Sequence, residues 1–449
     1  MSMTLRASIA AATFAAMACT PAAYAKTPAK PATAPDITVD IDVGEPLMIA
    51  GKDQTAYVKI TLGGFALPQS QRAPINLALV LDRSSSMSGD KFEKAKEAAL
   101  LVVDRLQPND VISVISYDST VEVLVPAIKA EERDFIRQRI QALTPRGSTA
   151  LFAGVSYGIE EVAKFLDPKR VNRIILLSDG QANIGPSSPN ELARLGQVAG
   201  KQGISISTIG LGVGYNEDLM TQLAMASDGN HAYARTAEDL VAIFQHELGD
   251  IMSVVAQDVE VEIIFEDGVI PVRSLYREAT INGNKVRLSL NQLYAKQEKF
   301  ALLEVKVPAG KADTTRRVAS VDVRYANMVT HKKVKRRDAL QIGFTSSAAK
   351  ARAQQNADVM VAAVEAIATD RNRQALALRD QGKIKEAEAA LKGNAAYLAK
   401  ENQKLKSKRL EKYAKDNEKD ADNLAPAQWN ETRKSMREGQ HSNSTQRSW

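Results

Sequence analysis

A single cysteine, Cys19, in 449 residues excludes a disulfide framework and any cysteine-based zinc cluster. Histidine is nearly as scarce: there are four, none in an H-x-x-x-H pair, which argues against a histidine-built catalytic metal site. Aromatics are 5% of the chain, so its cores must be made mainly of Ile, Val, Leu and Ala. Outside the N-terminal leader, no stretch reaches the roughly 18–20 uncharged apolar residues that a membrane-spanning helix needs. What is present, 44% hydrophobic and 25% charged residues, is the composition of a folded globular chain with room for about two or three domains.

Charge is spread unevenly. Residues 331–449 hold 25 Lys+Arg against 15 Asp+Glu, net +10, which leaves 34 against 38, net −4, for residues 1–330. The basic part interleaves its charges with Glu and Asp and has few aromatics to stack on bases. It reads as a solvated helical surface and not as a nucleic-acid arm.

Residues 1–25 read as a secretory signal: Arg6 is the only charge, residues 7–18 are a short Ala-rich apolar run, and Ala23-Tyr24-Ala25 fits a small-x-small cleavage site. The competing reading, lipidation of Cys19, rests on Ala16-Met17-Ala18-Cys19, a poor lipoprotein box, and cleavage after Ala25 is preferred. Either way the mature chain is expected to be exported, to the periplasm, the cell surface or the medium. Membrane anchoring is expected only if Cys19 is lipidated. Residues 26–35, rich in Pro, Ala and Lys, read as a linker.

Hydrophobic periodicity divides the remainder. Residues 36–73 alternate like short strands (Ile37, Val39, Ile41, Val43; Ala56, Val58, Ile60, Leu62). Residues 74–255 alternate apolar strands with helices, which predicts a doubly wound, mostly parallel six-stranded sheet of the α/β class. The last helix of this unit is expected over 237–255. Residues 256–345 return to a period of two and are expected to form an antiparallel β-domain with the strands of 36–73, because neither set alone closes a core. Residues 346–424 have helical spacing and break at Gln381-Gly382, which predicts an α-helical hairpin, with Asn394, Glu401 and Lys408 spoiling its seam. Residues 425–449 are polar and expected to be disordered.

Three loops in the α/β segment carry the chemistry. Asp82-Arg83-Ser84-Ser85-Ser86 follows the strand 75–81. In a loop leaving a strand, residues i, i+2 and i+4 can turn one carboxylate and two hydroxyls to one side, hard oxygen donors that suit Mg2+. Thr149, in Gly147-Ser148-Thr149, precedes a helix, and Asp179, in Ser178-Asp179-Gly180, ends the strand 171–177. In a doubly wound sheet these loops meet at the carboxyl ends of adjacent strands, where such folds bind ligands. Taken singly, each could be a helix cap or a turn. In order, each at the correct strand end, they read as one metal site with a position left for water or for a partner's acidic group.

With these motifs, segment 74–255 resembles a von Willebrand factor type A domain with a metal-ion-dependent adhesion site. The flanking strands and helical C-terminus resemble secreted bacterial members. The segment is nearer in style to chloride-channel regulators and inter-alpha-trypsin inhibitor heavy chains than to integrin inserted domains. The resemblance implies Mg2+ (or Mn2+ or Ca2+) held directly or through water by Asp82, Ser84, Ser86, Thr149 and Asp179, with a partner carboxylate completing the shell. Arg83, Gly147, Ser148 and Gly180 are the expected ligand-facing neighbours. Arg83 departs from the family, which often has a small or aliphatic residue there. Its charge either attracts an acidic partner or sits against the acidic loop. Ser148 stands where a Gly is common.

Other motifs are weaker. Gly210-Leu211-Gly212-Val213-Gly214 lacks the phosphate-loop order and reads as a structural loop, and His246-Glu247 lacks the second His of a metalloprotease. Ser84 and Ser86 have neither a nucleophile-elbow context nor an evident His partner. The expectation is therefore a non-enzymatic extracytoplasmic binding module, serving adhesion or envelope assembly through Mg2+ and an acidic residue of a protein partner. The alternatives are an envelope scaffold whose metal is structural and whose helical C-terminus binds the partner and, less favoured because of the leader, a subunit working with an ATPase.

Overall fold

The computed structural model describes residues 35–446 apart from Asp267. The expected leader, Cys19 and all but the end of the expected linker lie outside the described residues. Three strands open the chain, β1 (Thr38–Val43), β2 (Leu47–Ile49) and β3 (Gln54–Gly63). Along β3, Ala56, Val58, Ile60 and Leu62 are buried while Tyr57 and Lys59 between them are half-buried, the alternation of a strand with one face in a core.

The α/β unit follows. Its strands are β4 (Ile75–Asp82), β5 (Val111–Tyr117), β6 (Val121–Lys129), β7 (Val171–Ser178), β8 (Ser205–Leu211) and β9 (His231–Ala234). Its helices are α1 (Asp90–Arg105), α2 (Arg133–Gln141), α3 (Leu151–Ala163), α4 (Pro189–Lys201), α5 (Glu217–Ala226) and α6 (Asp239–Met252). The strands form one sheet in the order β6-β5-β4-β7-β8-β9, in which only β6 is antiparallel to its neighbour. Every residue of β4 is buried, because both faces are covered. Leu77, Leu79 and Leu81 join the core with Val102, Ile136 and Phe244 of α1, α2 and α6. Ala78 and Val80 join Val155, Leu192 and Leu223 of α3, α4 and α5.

The helix expected to run to Val255 ends at Met252 instead. Val254, Val255 and Ala256 are fully buried and start β10 (Val254–Phe265), where pairing with a partner strand outweighs weak helical preference. After β10 come β11 (Ile270–Leu275), β12 (Thr280–Asn282), β13 (Lys285–Tyr294), β14 (Glu298–Val307), β15 (Thr315–Asn327) and β16 (Lys333–Thr345). They form two sheets around one core, β1-β3-β14-β11 and β12-β13-β10-β15-β16-β2. The α/β unit is thus inserted in a sandwich built from both flanks. β3 lies between β1 and β14, with Ile60 opposite Ile41 on one side and Ala301 on the other, and β2 runs parallel to the end of β16. Removing residues 36–63 should therefore open the middle of one sheet, unpair β14 and expose its apolar face. Size-exclusion chromatography should show aggregation; a monomeric product would count against shared sheets.

The C-terminal part departs from the expected hairpin and disordered tail. After the short α7 (Ala348–Ala353) come four long helices: α8 (Ala357–Asp380), α9 (Ile384–Leu405), α10 (Lys408–Asp422) and α11 (Pro426–Thr445). The break at Gln381-Gly382 lies where the sequence put it. Asn394, which spoils the two-helix seam, is a node of a larger bundle: its amide donates to Ala368 O at 2.8 Å and to Asn417 Oδ1 at 2.9 Å, Asn372 donates to the same oxygen, and Gln440 donates to Asn372 Oδ1 at 2.7 Å. These four side chains, one from each helix, are buried and linked to one another, which fixes the bundle's register, although among the described residues the Asn394 Oδ1 is left without a hydrogen-bond partner. Of the segment expected to be disordered, Pro426–Thr445 is ordered as α11, because its few apolar residues, Trp429 and Met436, reach the bundle core while its cations meet acids of the α/β unit; residues 447–449 lie outside the described residues. Arg433 pairs with Glu217, Asp218 and Asp380, Lys434 with Glu217 at 2.7 Å, and Arg437 with Asp218 at 2.8 Å. Glu438 accepts the Tyr233 N–H of the edge strand β9 at 2.9 Å, so α11 covers an edge that would otherwise be open to pairing. Among the described residues no helix is long and apolar enough to cross a membrane.

Candidate metal centre

The sheet delivers the three loops to one end. Asp82 is the last residue of β4 and is fully buried. Its Oδ1 accepts the Ser84 N–H at 2.8 Å and its Oδ2 accepts the Ser178 hydroxyl at 2.7 Å. Burial pushes this carboxyl up to about 6; hydrogen bonds from Ser84 and Ser178 oppose that, while the nearby Asp179 charge adds to it. Among the described residues no cation forms an ion pair with Asp82, and the Lys91 ammonium nearby is taken up by Asp179.

The hydroxyls complete a chain of close oxygens. Ser84 Oγ lies 3.0 Å from Ser86 Oγ, and Ser86 Oγ donates to Asp179 Oδ1 at 2.6 Å. On the other oxygen of Asp179 sits the Lys91 ammonium, at 2.5 Å, reaching in from the first turn of α1. Thr149 enters from the side. Its N–H donates to Asn183 Oδ1 and its carbonyl accepts from Asn183 N–H, which ties the loop before α3 to the loop after β7. Gly180 permits this meeting: a Cβ there would stand 3.2 Å from Thr149 Oγ1 and 3.6 Å from Ser86 Oγ, inside the cluster. Gly147 is required by its backbone, with φ +72°, and its carbonyl accepts the Ser85 N–H.

All five residues expected to hold metal thus stand at one sheet end, with Gly147 and Gly180 shaping the loops. Arg83 does not face a ligand. It is buried, its Nε is 2.9 Å from Asp118 Oδ2 and its Nη2 is 3.1 Å from Glu122 Oε2, so of the two expected roles it takes the one against acidic neighbours. Asp118 also receives Arg146 at 2.9 Å. Burial alone would raise the Asp118 carboxyl, but hydrogen bonds from Arg146 and Thr120 and the Arg83 charge bring it down to about 2. Ser148 is held through its N–H to Ser119 Oγ at 2.9 Å. Ser178, Lys91 and Asn183 were not singled out in the sequence. Ser178 lies inside a quoted motif and Lys91 five residues beyond Ser86, but nothing in their spacing says which oxygen they reach.

The donor set fits a hard divalent cation. It is all oxygen, with two carboxylates and three hydroxyls, one carboxylate forming no ion pair and the other already meeting a stand-in cation in Lys91. Among the described residues no group of three or more His, Cys, Asp or Glu is placed to hold a metal ion, so a candidate site here has to draw on hydroxyls. The His246-Glu247 pair has a structural role: Glu247 accepts from Arg173 and Asn230 inside the core.

Residues 76–246 match the model of the von Willebrand factor type A domain. The chain contains a von Willebrand factor type A domain. Its relatives include the uncharacterized protein sll0103 of Synechocystis, 32% identical over 188 residues that make up 42% of this chain and 44% of the relative. Human inter-alpha-trypsin inhibitor heavy chain H3 is 28% identical over 215 residues, 44% of this chain and 23% of that one. The matched part therefore spans less than half of either relative. A solved structure, the von Willebrand factor type A protein from Catenulispora acidiphila, superposes over 87% of this chain and 89% of its own with a TM-score of 0.68 at 16% identity. That likeness extends the shared fold well beyond the type A domain. Domains of this family typically mediate protein–protein interaction.

Proposed function

We propose that this chain is a non-enzymatic binding protein working outside the cytoplasm, in adhesion or envelope assembly. In this reading Asp82, Ser84, Ser86, Thr149 and Asp179 hold Mg2+, with Mn2+ or Ca2+ able to take its place, and an acidic group of a protein partner completes the shell. The observation that carries it is the convergence of these five oxygen-bearing side chains at one end of the sheet, where Ser86 is exposed and the other four are buried, around a carboxylate that forms no ion pair. The metal, when bound, supplies an open coordination position for a carboxylate oxygen. The chain's own residues do the rest. Ser178 and the Ser84 N–H fix the direction of Asp82, Asn183 fixes Thr149, and the paired Arg83 and Asp118 brace the loops beneath. The location rests on the leader-like residues 1–25.

Lys91 gives a direct test. Its ammonium sits where a metal-bound Asp179 would be neutralised a second time, so it should weaken the metal. Lys91→Met should bind Mg2+ about tenfold more tightly than the wild type in calorimetric titration, as removal of a like charge at ion-pair distance predicts. Absence of Mg2+ or Mn2+ binding in both folded proteins would overturn the metal reading.

A further inference from the structure

Beside the metal face lies a cleft of about 430 Å3 walled on one side by the type A domain and on the other by the C-terminal helix α11. We propose that this cleft is the second half of the docking site. It would take an extended segment of the protein partner whose acidic residue sits on the metal, with an uncharged residue further along lying over Val213. This rests on the metal reading above.

The cleft adjoins the site through Gln181, which lines it. Gln181, two residues beyond Asp179, donates its amide to Gly214 O at 2.7 Å, and a Cβ on Gly214 would stand 2.7 Å from the Asp179 carbonyl, so the loop 212–214 lies directly against the metal loop. On that loop Val213 is 58% exposed, an apolar side chain held open at the mouth of the cleft. The volume falls within the ~300–1,000 Å3 of ordinary ligand pockets.

The charges along the walls are already spent on one another. Glu217 and Asp218 are answered by Arg433, Lys434 and Arg437, and Lys434 lies 4.7 Å over the Tyr215 ring. A second carboxylate or an ammonium would gain no unpaired partner here. What the walls offer is the Val213 side chain, the Gln181 amide oxygen and the exposed Asn430 amide. Apolar contact and amide groups suit an uncharged side chain and a peptide backbone. The ion pairs also hold α11 in place before the partner arrives, so little ordering has to accompany binding.

The test uses the full chain, immobilised, and a displayed random-peptide library selected in Mg2+ and in EDTA. Enriched peptides should need Mg2+ and should share one acidic residue with an uncharged aliphatic residue at constant spacing. One such peptide should bind about tenfold more weakly to Val213→Ser and to Asn430→Ala, while calorimetry shows Mg2+ affinity unchanged in both variants. Metal-dependent peptides that carry the acid alone, or an affinity unmoved in both variants, would overturn the cleft and leave the metal reading standing. Enrichment indifferent to EDTA, or no enrichment, would remove both.

Discussion

Asp82→Ala is expected to lose at least ~100-fold in Mg2+ affinity while the chain stays folded. The substitution removes the one buried carboxylate of the site that forms no ion pair, and with it the strongest reason for a cation to enter. The cost to the fold is small by comparison. Burial already disfavours the charged form, raising the carboxyl to about 6, so deleting it relieves a desolvation penalty even as Ser178 and the Ser84 N–H lose an acceptor. Those opposing effects should leave stability in EDTA within about 2 kcal/mol of the wild type. Metal at a hundred times its dissociation constant should stabilise the wild type by about 2.7 kcal/mol and the variant hardly at all. Thermal unfolding with Mg2+ and with EDTA reads both effects. Equal stabilisation of the two proteins by Mg2+ would show that Asp82 is not a ligand.

The second large effect lies far from the metal. Arg173 on β7 is fully buried; it reaches Glu247 of α6 at 3.3 Å, Ser207 of β8 at 2.8 Å, Gln292 at 2.5 Å and Tyr294 at 2.7 Å, the last two on β13 of the sandwich. Arg173→Met should cost about 3–5 kcal/mol in urea unfolding, because it removes the buried cation facing the Glu247 carboxylate, which then keeps its hydrogen bonds from Ser207 and Asn230 but loses its ion pair. Adding Glu247→Gln should recover most of that loss. A single variant within 1 kcal/mol of the wild type would mean that the pair is dispensable. The same cluster bears on how the metal face could signal. α6 is pinned by Glu247 and ends one residue before β10, so a partner that pulled on the loop 145–149 could move α6 only by breaking a buried ion pair. The expected result is a site that holds its shape with or without a partner, and a partner-dependent loss of hydrogen-exchange protection confined to α6 would show a switch instead.

Much of this was legible in the sequence, for identifiable reasons. The buried strands of the α/β unit are continuous apolar runs bounded by turn residues, and the strands expected over 75–81 and 171–177 are β4 and β7, each one residue longer. The candidate loops were legible because Asp82, Ser84, Ser86 and Asp179 lie within a few residues of a strand end and Thr149 just before a helix. Arg83 could not be assigned, since Asp118 lies 35 residues away and its proximity depends on the strand order β5-β4. α11 was missed for the same reason on a larger scale. Its composition is polar, and the acids that order it, Glu217 and Asp218, are 216 and 215 residues back along the chain. A polar segment betrays its fold only through partners that one-dimensional spacing does not show.

The placement of the type A domain inside the sandwich has a consequence in time. β1 and β3 leave the ribosome long before β14, their neighbour in the sheet, and the intervening loop is the whole α/β unit. Closing so long a loop by chance is entropically unfavourable and slow, whereas the α/β unit makes its parallel pairings over shorter separations. The insert should therefore form first and act as the splint that brings the two halves of the sandwich together. Until it does, the apolar edges of β3 and β14 remain unmatched, and that interval is when the chain is most exposed to misassembly.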